Sequence, residues 1–283
     1  MAAWKSEFSG LQLPPHTQSL IQRWAERDPE LAAVAAIWLE LDYAPKAPLP
    51  SPIICVRLQA PWTRRWLSES FLTALLGRAP QDSEVDFLNR AVATMPANAD
   101  LLYLFDLSAR GGSFRLEVYC QDLQTVSNCF DAWALNGARL PRSFQLLDDC
   151  DRYHLSADFD GRGLGPRIGL EASMVKLPAR EPRWRDLLDR LVDTGLCRPE
   201  HVPALLAWPG YDTRSSAPNR WPSEAPGYCV RALSHVKLVT WPDREPEAKV
   251  YLLFQPVARR SDLRQATSKA TSQASPKAIV RST

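Results

Sequence analysis

The region from Gly165 to Phe254 constrains the fold more than any other part of the chain. A strand-like segment, GPRIGLEAS, is followed by a helix-like segment, a Trp-Pro-Gly turn and two further strand-like segments, SHVKLVTW and EAKVYLLF. In the helix-like segment, apolar residues recur at helical spacing from Trp184 to Val192 and therefore share one face. This succession predicts helices that bury one face against an antiparallel sheet.

The same alternation of elements runs through the rest of the chain. Two hairpins are predicted, one turning at Gly111-Gly112 and one at Asp160-Gly161, because these dipeptides favour tight turns. Helices are predicted over 63–76, 83–95 and 122–133, and we count eight or nine strands in all. The predicted fold is α+β, with antiparallel β-hairpins alternating with helices that cover one sheet face. An origin in two similar halves stays open, since no residue-level repeat is visible.

Composition predicts one domain and a tail. The 283 residues are 45% hydrophobic, enough for a buried core, and no sharp change in composition divides residues 1–257, which we assign to a single α+β domain. Residues 258–283 contain six Lys/Arg, one acidic residue and no aromatic residue. Such a segment cannot bury enough apolar surface to fold alone, so it is predicted to be a disordered basic tail. A solubilising role is favoured over a nucleic-acid partner.

The sequence also indicates where the protein works. Its longest apolar stretch, Leu31 to Leu39, is too short to cross a bilayer, and the first ten residues lack the apolar core of a secretory signal. A cytoplasmic location with no membrane partner is the expectation. The six cysteines form no CxxC pair, so buried free thiols are favoured over disulfides or zinc ligands.

Signatures of common enzymes are absent from the sequence. It contains no GxSxG, HExxH, phosphate-binding or dinucleotide-binding motif. The acid-rich stretch 148–160 has no spacing typical of a metal-binding loop. We therefore expect no metal, no cofactor and no assignable catalytic residue from motifs alone.

Candidate binding residues come from the alternation of the strands. In FRLEVYC, for example, Phe114, Leu116 and Val118 lie on one face and the polar residues on the other. The polar face is either an ordinary solvated surface or a surface that binds an extended peptide, and tryptophans beside prolines are either loop anchors or part of a groove. The candidate peptide-binding residues are Arg57, Arg115, Tyr119, Arg167, His235, Lys237, Lys249, Tyr251, Trp208 and Trp241.

Five segments together resemble a family of bacterial proteins. They are WLELD, GPRIGLE, PRWRDLLDRLVDTGLC, ALLAWPG and HVKLV followed by EAKVYLLF, and they span most of residues 31–257. The family is similar to the peptide-binding accessory proteins of crocagin-type pyrroloindoline biosynthesis, a ribosomal-peptide pathway. The resemblance implies a non-catalytic protein that holds a precursor peptide for a maturation enzyme of the same pathway.

The alternation of helices and antiparallel hairpins also resembles the aromatic prenyltransferase barrel. That resemblance implies an enzyme whose strands place Lys, Arg and Tyr inward to hold a diphosphate, with an acid such as Glu171 assisting the acceptor. The residues that could do so here are Arg57, Arg115, Arg167, Lys237, Lys249 and Tyr251. Two points count against it: such a barrel has about ten strands, and Glu117 and Glu171 would repel a diphosphate. A closed barrel with the basic residues inside would favour the enzyme, and an open sheet or groove with those residues facing solvent would favour the peptide-binding protein.

Overall fold

The computed structural model describes residues 13–40, 52–133, 140–161, 163–175, 181–213, 228–257 and 278–279. They fall into two compact units. The first unit comprises the described residues of Met1–Leu140 and His154–Gly169, and the second those of Pro141–Tyr153 and Leu170–Thr283. The assignment of residues 1–257 to one domain stays a prediction, and each unit is described here by itself.

The first unit alternates helices with pairs of strands. Its elements are α1 (Pro15–Ala25), β1 (Val34–Glu40), β2 (Ile53–Leu58), a π-helix (Trp66–Phe71) that continues as α2 (Leu72–Leu76), α3 (Asp82–Ala93), β3 (Ala99–Asp106), β4 (Phe114–Cys120), α4 (Leu123–Trp133), and most of β5 (Arg152–Phe159) and β6 (Leu164–Ser173). Short 3-10 helices lie at Pro29–Leu31 and Ser108–Arg110. The strands are neighbours in chain order, β1 to β6. Pairs β1–β2, β2–β3 and β3–β4 are antiparallel.

One face of this sheet is apolar and carries the helices. Val56 lies opposite Leu104, which lies opposite Leu116, and all three side chains are buried. From α3, the ring of Phe87 packs 6.2 Å from Phe114 and 4.8 Å from Phe159. Burying one such ring contributes about 1.5–3 kcal/mol to stability. The helices therefore cover the apolar sheet face, as the alternation of residues predicts.

The second unit combines two helices with a long hairpin. Its elements are a 3-10 helix (Arg142–Leu147), the end of β6, α5 (Arg183–Asp193), a 3-10 helix (Pro199–His201), α6 (Val202–Ala207), β7 (Gly210–Thr213), β8 (Tyr228–Trp241), β9 (Arg244–Val257) and β10 (Ala278–Ile279). The strand order is β6–β8–β9–β10, and β7 also pairs with β8. In α5 the predicted apolar stripe is buried, including Trp184, Leu187 and Leu191.

These elements confirm the predicted α+β class with antiparallel hairpins. The described residues contain ten strands rather than eight or nine, because the sequence count omitted β7 and β10. Both are short, and a strand of two to four residues has too few positions for a recognisable alternation. Of the predicted disordered tail, only Ala278–Ile279 are described, and they pair with β9. The other tail residues lie outside the described residues, so the disorder expected there stays a prediction. All six cysteines are free thiols, five of them buried.

Candidate functional site

The polar residues of β2, β3 and β4 share the sheet face opposite to the helices. Arg57 lies opposite Tyr103 in the strand register, and Tyr103 lies opposite Glu117. Two residues further along, Arg115 lies opposite Phe105. Because side chains alternate between faces along a strand, these residues lie on the face away from Val56, Leu104 and Leu116. This face is mixed rather than continuously polar, because Cys55, Tyr103 and Phe105 also lie on it and belong to a buried apolar cluster.

A single carboxylate holds two arginines on this face. Arg115 donates from Nε to Asp158 Oδ1 (2.6 Å) and from Nη2 to Oδ2 (3.2 Å), and Arg167 Nη1 donates to Oδ1 (3.3 Å). The guanidinium of Arg115, a residue only 2% exposed, also lies over the Phe105 ring at 5.3 Å. Burial alone would lower the pKa of Arg115, but the charge and hydrogen bonds of Asp158 outweigh it and raise that pKa. We call Arg57, Arg115, Arg167 and Asp158 the arginine cluster.

Arg57 differs from the other two arginines in its contacts. Its Nε atom is buried and has no hydrogen-bond partner among the described residues. A buried donor without an acceptor costs free energy, so each case in a native structure calls for an explanation. An anionic ligand would supply an acceptor for the Nε atom of Arg57.

A histidine and an acid lie between two tyrosines in the same unit. Glu117 is fully buried, and its Oε1 lies 3.2 Å from His154 Nδ1. The His154 ring centroid lies 5.9 Å from that of Tyr119 and 6.3 Å from that of Tyr103. Tyr119 therefore borders this pair, as a member of the predicted polar face. One oxygen of Glu117 thus lies within hydrogen-bond distance of a histidine.

In the second unit, two lysines lie directly opposite each other on β8 and β9. The register pairs Lys237 with Lys249 and His235 with Tyr251. Lys237 is only 3% exposed, and its Nζ donates to Glu171 Oε1 at 2.8 Å. The other oxygen of Glu171, Oε2, lies 3.3 Å from His235 Nε2. We call Lys237, Lys249, His235 and Tyr251 the lysine row.

The two aromatic members of the lysine row form a stack. The rings of His235 and Tyr251 are 4.1 Å apart and inclined by 20°. Ser234 lies at an irregularity in the β8–β9 register, between Leu233 and His235, and its Oγ is 3.0 Å from His235 Nδ1. An extra residue of this kind bends the strand locally and redirects the next side chain. The bulge thus helps to set the orientation of His235.

The lysine row concentrates positive charge. Like charges directly opposite each other on paired strands are destabilising. Glu171 offsets part of this repulsion, but its two oxygens are shared between Lys237 and His235. A multiply charged anion beside Lys237 and Lys249 would interact favourably with both, because charge-assisted hydrogen bonds are among the strongest available in proteins.

The two predicted tryptophans lie apart from the lysine row and from each other. Trp208 donates from Nε1 to the Leu253 carbonyl (3.3 Å), and Arg231 lies over its ring at 5.3 Å. Trp241 lies at the turn of the β8–β9 hairpin, with the Arg244 guanidinium 3.4 Å from its ring centre. Arg231 and Trp241 are ten residues apart on one strand, about 33 Å at the usual rise. The contacts are those of loop anchors, and the two rings do not line one groove.

The structure thus sorts the ten predicted residues into three groups. Four lie on the sheet face opposite to the helices in the first unit: Arg57, Arg115, Tyr119 and Arg167. Four form the lysine row: His235, Lys237, Lys249 and Tyr251. The two tryptophans, Trp208 and Trp241, lie elsewhere. Four of them, Arg115, His235, Lys237 and Tyr251, are buried rather than solvated. Strand alternation located these positions, but it could not show that acids from other strands would pair with them. Asp158 was missed for that reason, since its sequence neighbours suggested only a turn.

Comparison with known proteins adds no family assignment. No protein-family model matches the chain, and no curated protein is significantly similar to it. Among the described residues, no helix is long and apolar enough to span a membrane. The function must therefore be inferred from the chemistry of the arginine cluster and the lysine row.

Proposed function

We propose that the protein is a transferase that binds a prenyl diphosphate and passes the prenyl group to an aromatic or peptide acceptor. The observation that carries this proposal is the lysine row, in which a buried lysine lies directly opposite a second lysine. A diphosphate is a compact polyanion, and lysine is a compact, flexible cation suited to binding phosphate oxygens. The proposal follows the resemblance to the aromatic prenyltransferase barrel.

The neighbouring residues suit the two halves of such a reaction. The bond between prenyl C1 and the diphosphate oxygen breaks, and the diphosphate leaves with the electron pair beside Lys237 and Lys249. In this proposal an aromatic ring stabilises the positive charge that develops on the prenyl group, and the candidate is Tyr251, whose ring is buried and stacked on His235. A new bond then forms between C1 and a nucleophilic atom of the acceptor, which must lose a proton.

Glu171 is the candidate base for that proton. It lies within the second unit, contacts both Lys237 and His235, and is nearly completely buried. When a diphosphate attracts Lys237, Glu171 keeps His235 as its partner, and this pair has the composition of a general base. The sequence suggested that Glu171 would repel a diphosphate. In the structure Glu171 lies beside Lys237, whose positive charge it balances.

Two further observations support an anion-binding enzyme. In the first unit, Arg57 has a buried donor atom without a partner among the described residues, and the carboxylates near the other arginines are already engaged. Of the six residues that the prenyltransferase resemblance singles out, Arg115, Lys237 and Tyr251 are buried, and Arg57, Arg167 and Lys249 are half-buried.

The non-catalytic accessory role expected from the first resemblance is the alternative proposal. One observation favours it: β9 accepts a short additional strand, Ala278–Ile279, in antiparallel pairing. An extended precursor peptide could add to a sheet edge by the same main-chain hydrogen bonds. On this alternative, the protein would bind a precursor peptide and deliver it unchanged to a maturation enzyme.

Calorimetric binding and mass spectrometry test the proposal. The purified protein is titrated with inorganic diphosphate and with an unreactive prenyl thiolodiphosphate, then incubated with prenyl diphosphates and tryptophan, tyrosine or short peptides containing them. We expect diphosphate binding that Lys237→Met weakens at least tenfold and that Arg185→Met, an exposed control on α5, leaves unchanged. A product heavier by one prenyl group supports transfer. Failure of every diphosphate to bind would overturn the proposal, and peptide binding without a mass change would favour the alternative.

A further inference from the structure

Two cysteines of the first unit lie in contact in its buried core. The Sγ atoms of Cys120 and Cys129 are 3.9 Å apart, and neither residue is exposed. Cys120 is the last residue of β4, and Cys129 lies in α4, nine positions further along the chain. The transfer reaction proposed above uses neither thiol.

The packing of α4 against β4 brings these two thiols together. Cys120 shares the apolar face of β4 with Leu116, four residues earlier, because side chains alternate along a strand. Cys129 belongs to the buried face of α4. Asp122 fixes the start of this helix as its cap, since its Oδ1 accepts from the Thr125 amide at 2.7 Å. The two buried faces therefore meet with one cysteine on each.

The contact makes the two sulfurs chemically unequal. Either thiol can donate in the neutral pair, and when Cys129 ionises, Cys120 is the donor. This hydrogen bond lowers the pKa of Cys129 although burial opposes it, whereas hydrogen bonding and burial both raise the pKa of Cys120. In the second unit, burial raises the pKa of Cys150 to about 12 and that of Cys229 to about 11. Cys129 therefore ionises more easily than either of those thiols, and the thiolate is the reactive form of cysteine.

We propose that Cys120 and Cys129 are a redox-active pair, which a hydroperoxide oxidises to a disulfide. The Cys129 thiolate attacks the terminal oxygen of the hydroperoxide, the O–O bond breaks, and Cys129 becomes a sulfenic acid while an alcohol, or water from hydrogen peroxide, leaves. The Cys120 sulfur then attacks the Cys129 sulfur, and the sulfenic hydroxyl leaves as water with the Cys120 proton. Two thiols thus lose two electrons to one hydroperoxide, which is reduced to the alcohol and one water.

The positions of the two sulfurs suit the second step. A disulfide needs its sulfurs about 2.0 Å apart, and a change of χ1 rotamer at either cysteine moves its sulfur while the backbone stays in place. Because neither thiol is exposed, the oxidant reaches them when α4 opens locally, which needs less free energy than global unfolding. A small dithiol reductant that enters in the same way would restore both thiols by exchange. This chemistry does not depend on the lysine row.

Oxidation of the folded wild type, followed by thiol counting, tests the proposal. The protein is incubated with hydrogen peroxide, the peroxide is removed with catalase, and the chain is unfolded in N-ethylmaleimide for mass measurement and peptide mapping. We expect two of the six thiols to resist alkylation, the cross-linked peptides to contain Cys120 and Cys129, and dithiothreitol to restore both thiols. Any result without a cross-link between Cys120 and Cys129 would overturn the proposal.

Three variants test the roles of the two sulfurs. Cys120→Ser keeps a donor beside Cys129 but cannot form the disulfide, so Cys129 should stop at the sulfenic acid, which dimedone traps. Cys120→Ala lacks the donor and should give severalfold less of this adduct; equal trapping in both variants would overturn the role of Cys120 as donor. Cys150→Ala, at another buried thiol, is the matched control and should form the disulfide as the wild type does. Loss of the cross-link in this control would show that the pair does not react by itself and would overturn the proposal.

Discussion

In the first unit a buried arginine is held by two hydrogen bonds to one carboxylate, whereas in the second a buried lysine lies opposite another lysine. Arg115 and Asp158 meet through a planar guanidinium and a carboxylate, a geometry that satisfies both partners and fixes their orientation. Lys237 meets Glu171 through a single ammonium contact, and Glu171 is shared with His235. The arginine pair is therefore suited to stabilising the sheet, and the lysine row to exchanging its partner for a ligand.

The largest expected effect comes from removing the carboxylate of the arginine cluster. Asp158→Ala leaves the buried guanidinium of Arg115 without its counter-ion, and breaking a buried ion pair from one side costs about 3–5 kcal/mol. Urea unfolding should show this loss in the free energy of unfolding. Asp86→Ala, on the exposed face of α3, is the control and should change stability by no more than about 0.5 kcal/mol. If both variants unfold alike, the arginine cluster has no stabilising role.

A smaller effect is expected at Glu84, which joins the start of α3 to the β3–β4 turn. Its carboxylate accepts from Arg78 (2.6 and 2.8 Å), from the Gln81 amide (2.6 Å) and from the Ser113 hydroxyl. Burial by itself would raise the pKa of Glu84, but these hydrogen bonds outweigh it and lower that pKa. The stabilisation is therefore complete above the ordinary glutamate pKa, and it is lost as the pH falls through the lowered folded-state value.

Glu84→Gln tests this dependence in the first unit. At neutral pH the variant should lose about 1 kcal/mol of stability, a modest value because Arg78 is partly exposed. Below the folded-state pKa of Glu84 the wild type should lose the same contribution, so the two unfolding curves should converge in acid. A constant difference between them from pH 7 to pH 3 would show that ionisation of Glu84 is not the cause.

Lys237→Met should separate binding from stability in the second unit. The substitution keeps the length of the side chain, removes the repulsion from Lys249 and leaves Glu171 with His235. Removing one partner of a buried pair is costly, but Glu171 keeps His235 and the repulsion from Lys249 is relieved. We therefore expect a loss of about 1–3 kcal/mol in the free energy of unfolding, smaller than that of Asp158→Ala, while diphosphate affinity falls at least tenfold. A loss of stability as large as that of Asp158→Ala would make the lysine row a structural ion pair like Arg115–Asp158, and the comparison between the units would fail.

The sequence predicted which face of a strand each polar residue lies on, but it did not predict which residues pair with each other on that face. The period of two in FRLEVYC and in HVKL placed Arg115, Glu117 and Lys237 on polar faces, because that period is local to each strand. Pairing depends on strand order and register, which join residues distant in the chain, such as Arg115 with Asp158 and Lys237 with Glu171. Burial of these residues was equally beyond the sequence, since an alternating strand has the same pattern whether its polar face is solvated or covered.

Substitution of Arg57 is expected to have the smallest effect on stability. It also tests the comparison between the arginine cluster and the lysine row most directly. Its buried Nε has no hydrogen-bond partner among the described residues, so this donor contributes an unsatisfied polar group to the folded protein. Arg57→Met keeps the apolar stem and removes the unsatisfied donor, and we expect stability to stay constant or to rise by up to about 1 kcal/mol. Arg64→Met, on an exposed side chain, is the matched control in urea unfolding. A clear loss of stability in Arg57→Met alone would assign Arg57 to the stabilising arginines. Constant stability with weaker diphosphate binding would assign it to ligand binding, in contrast to Arg115, whose Nε and Nη2 already donate to Asp158.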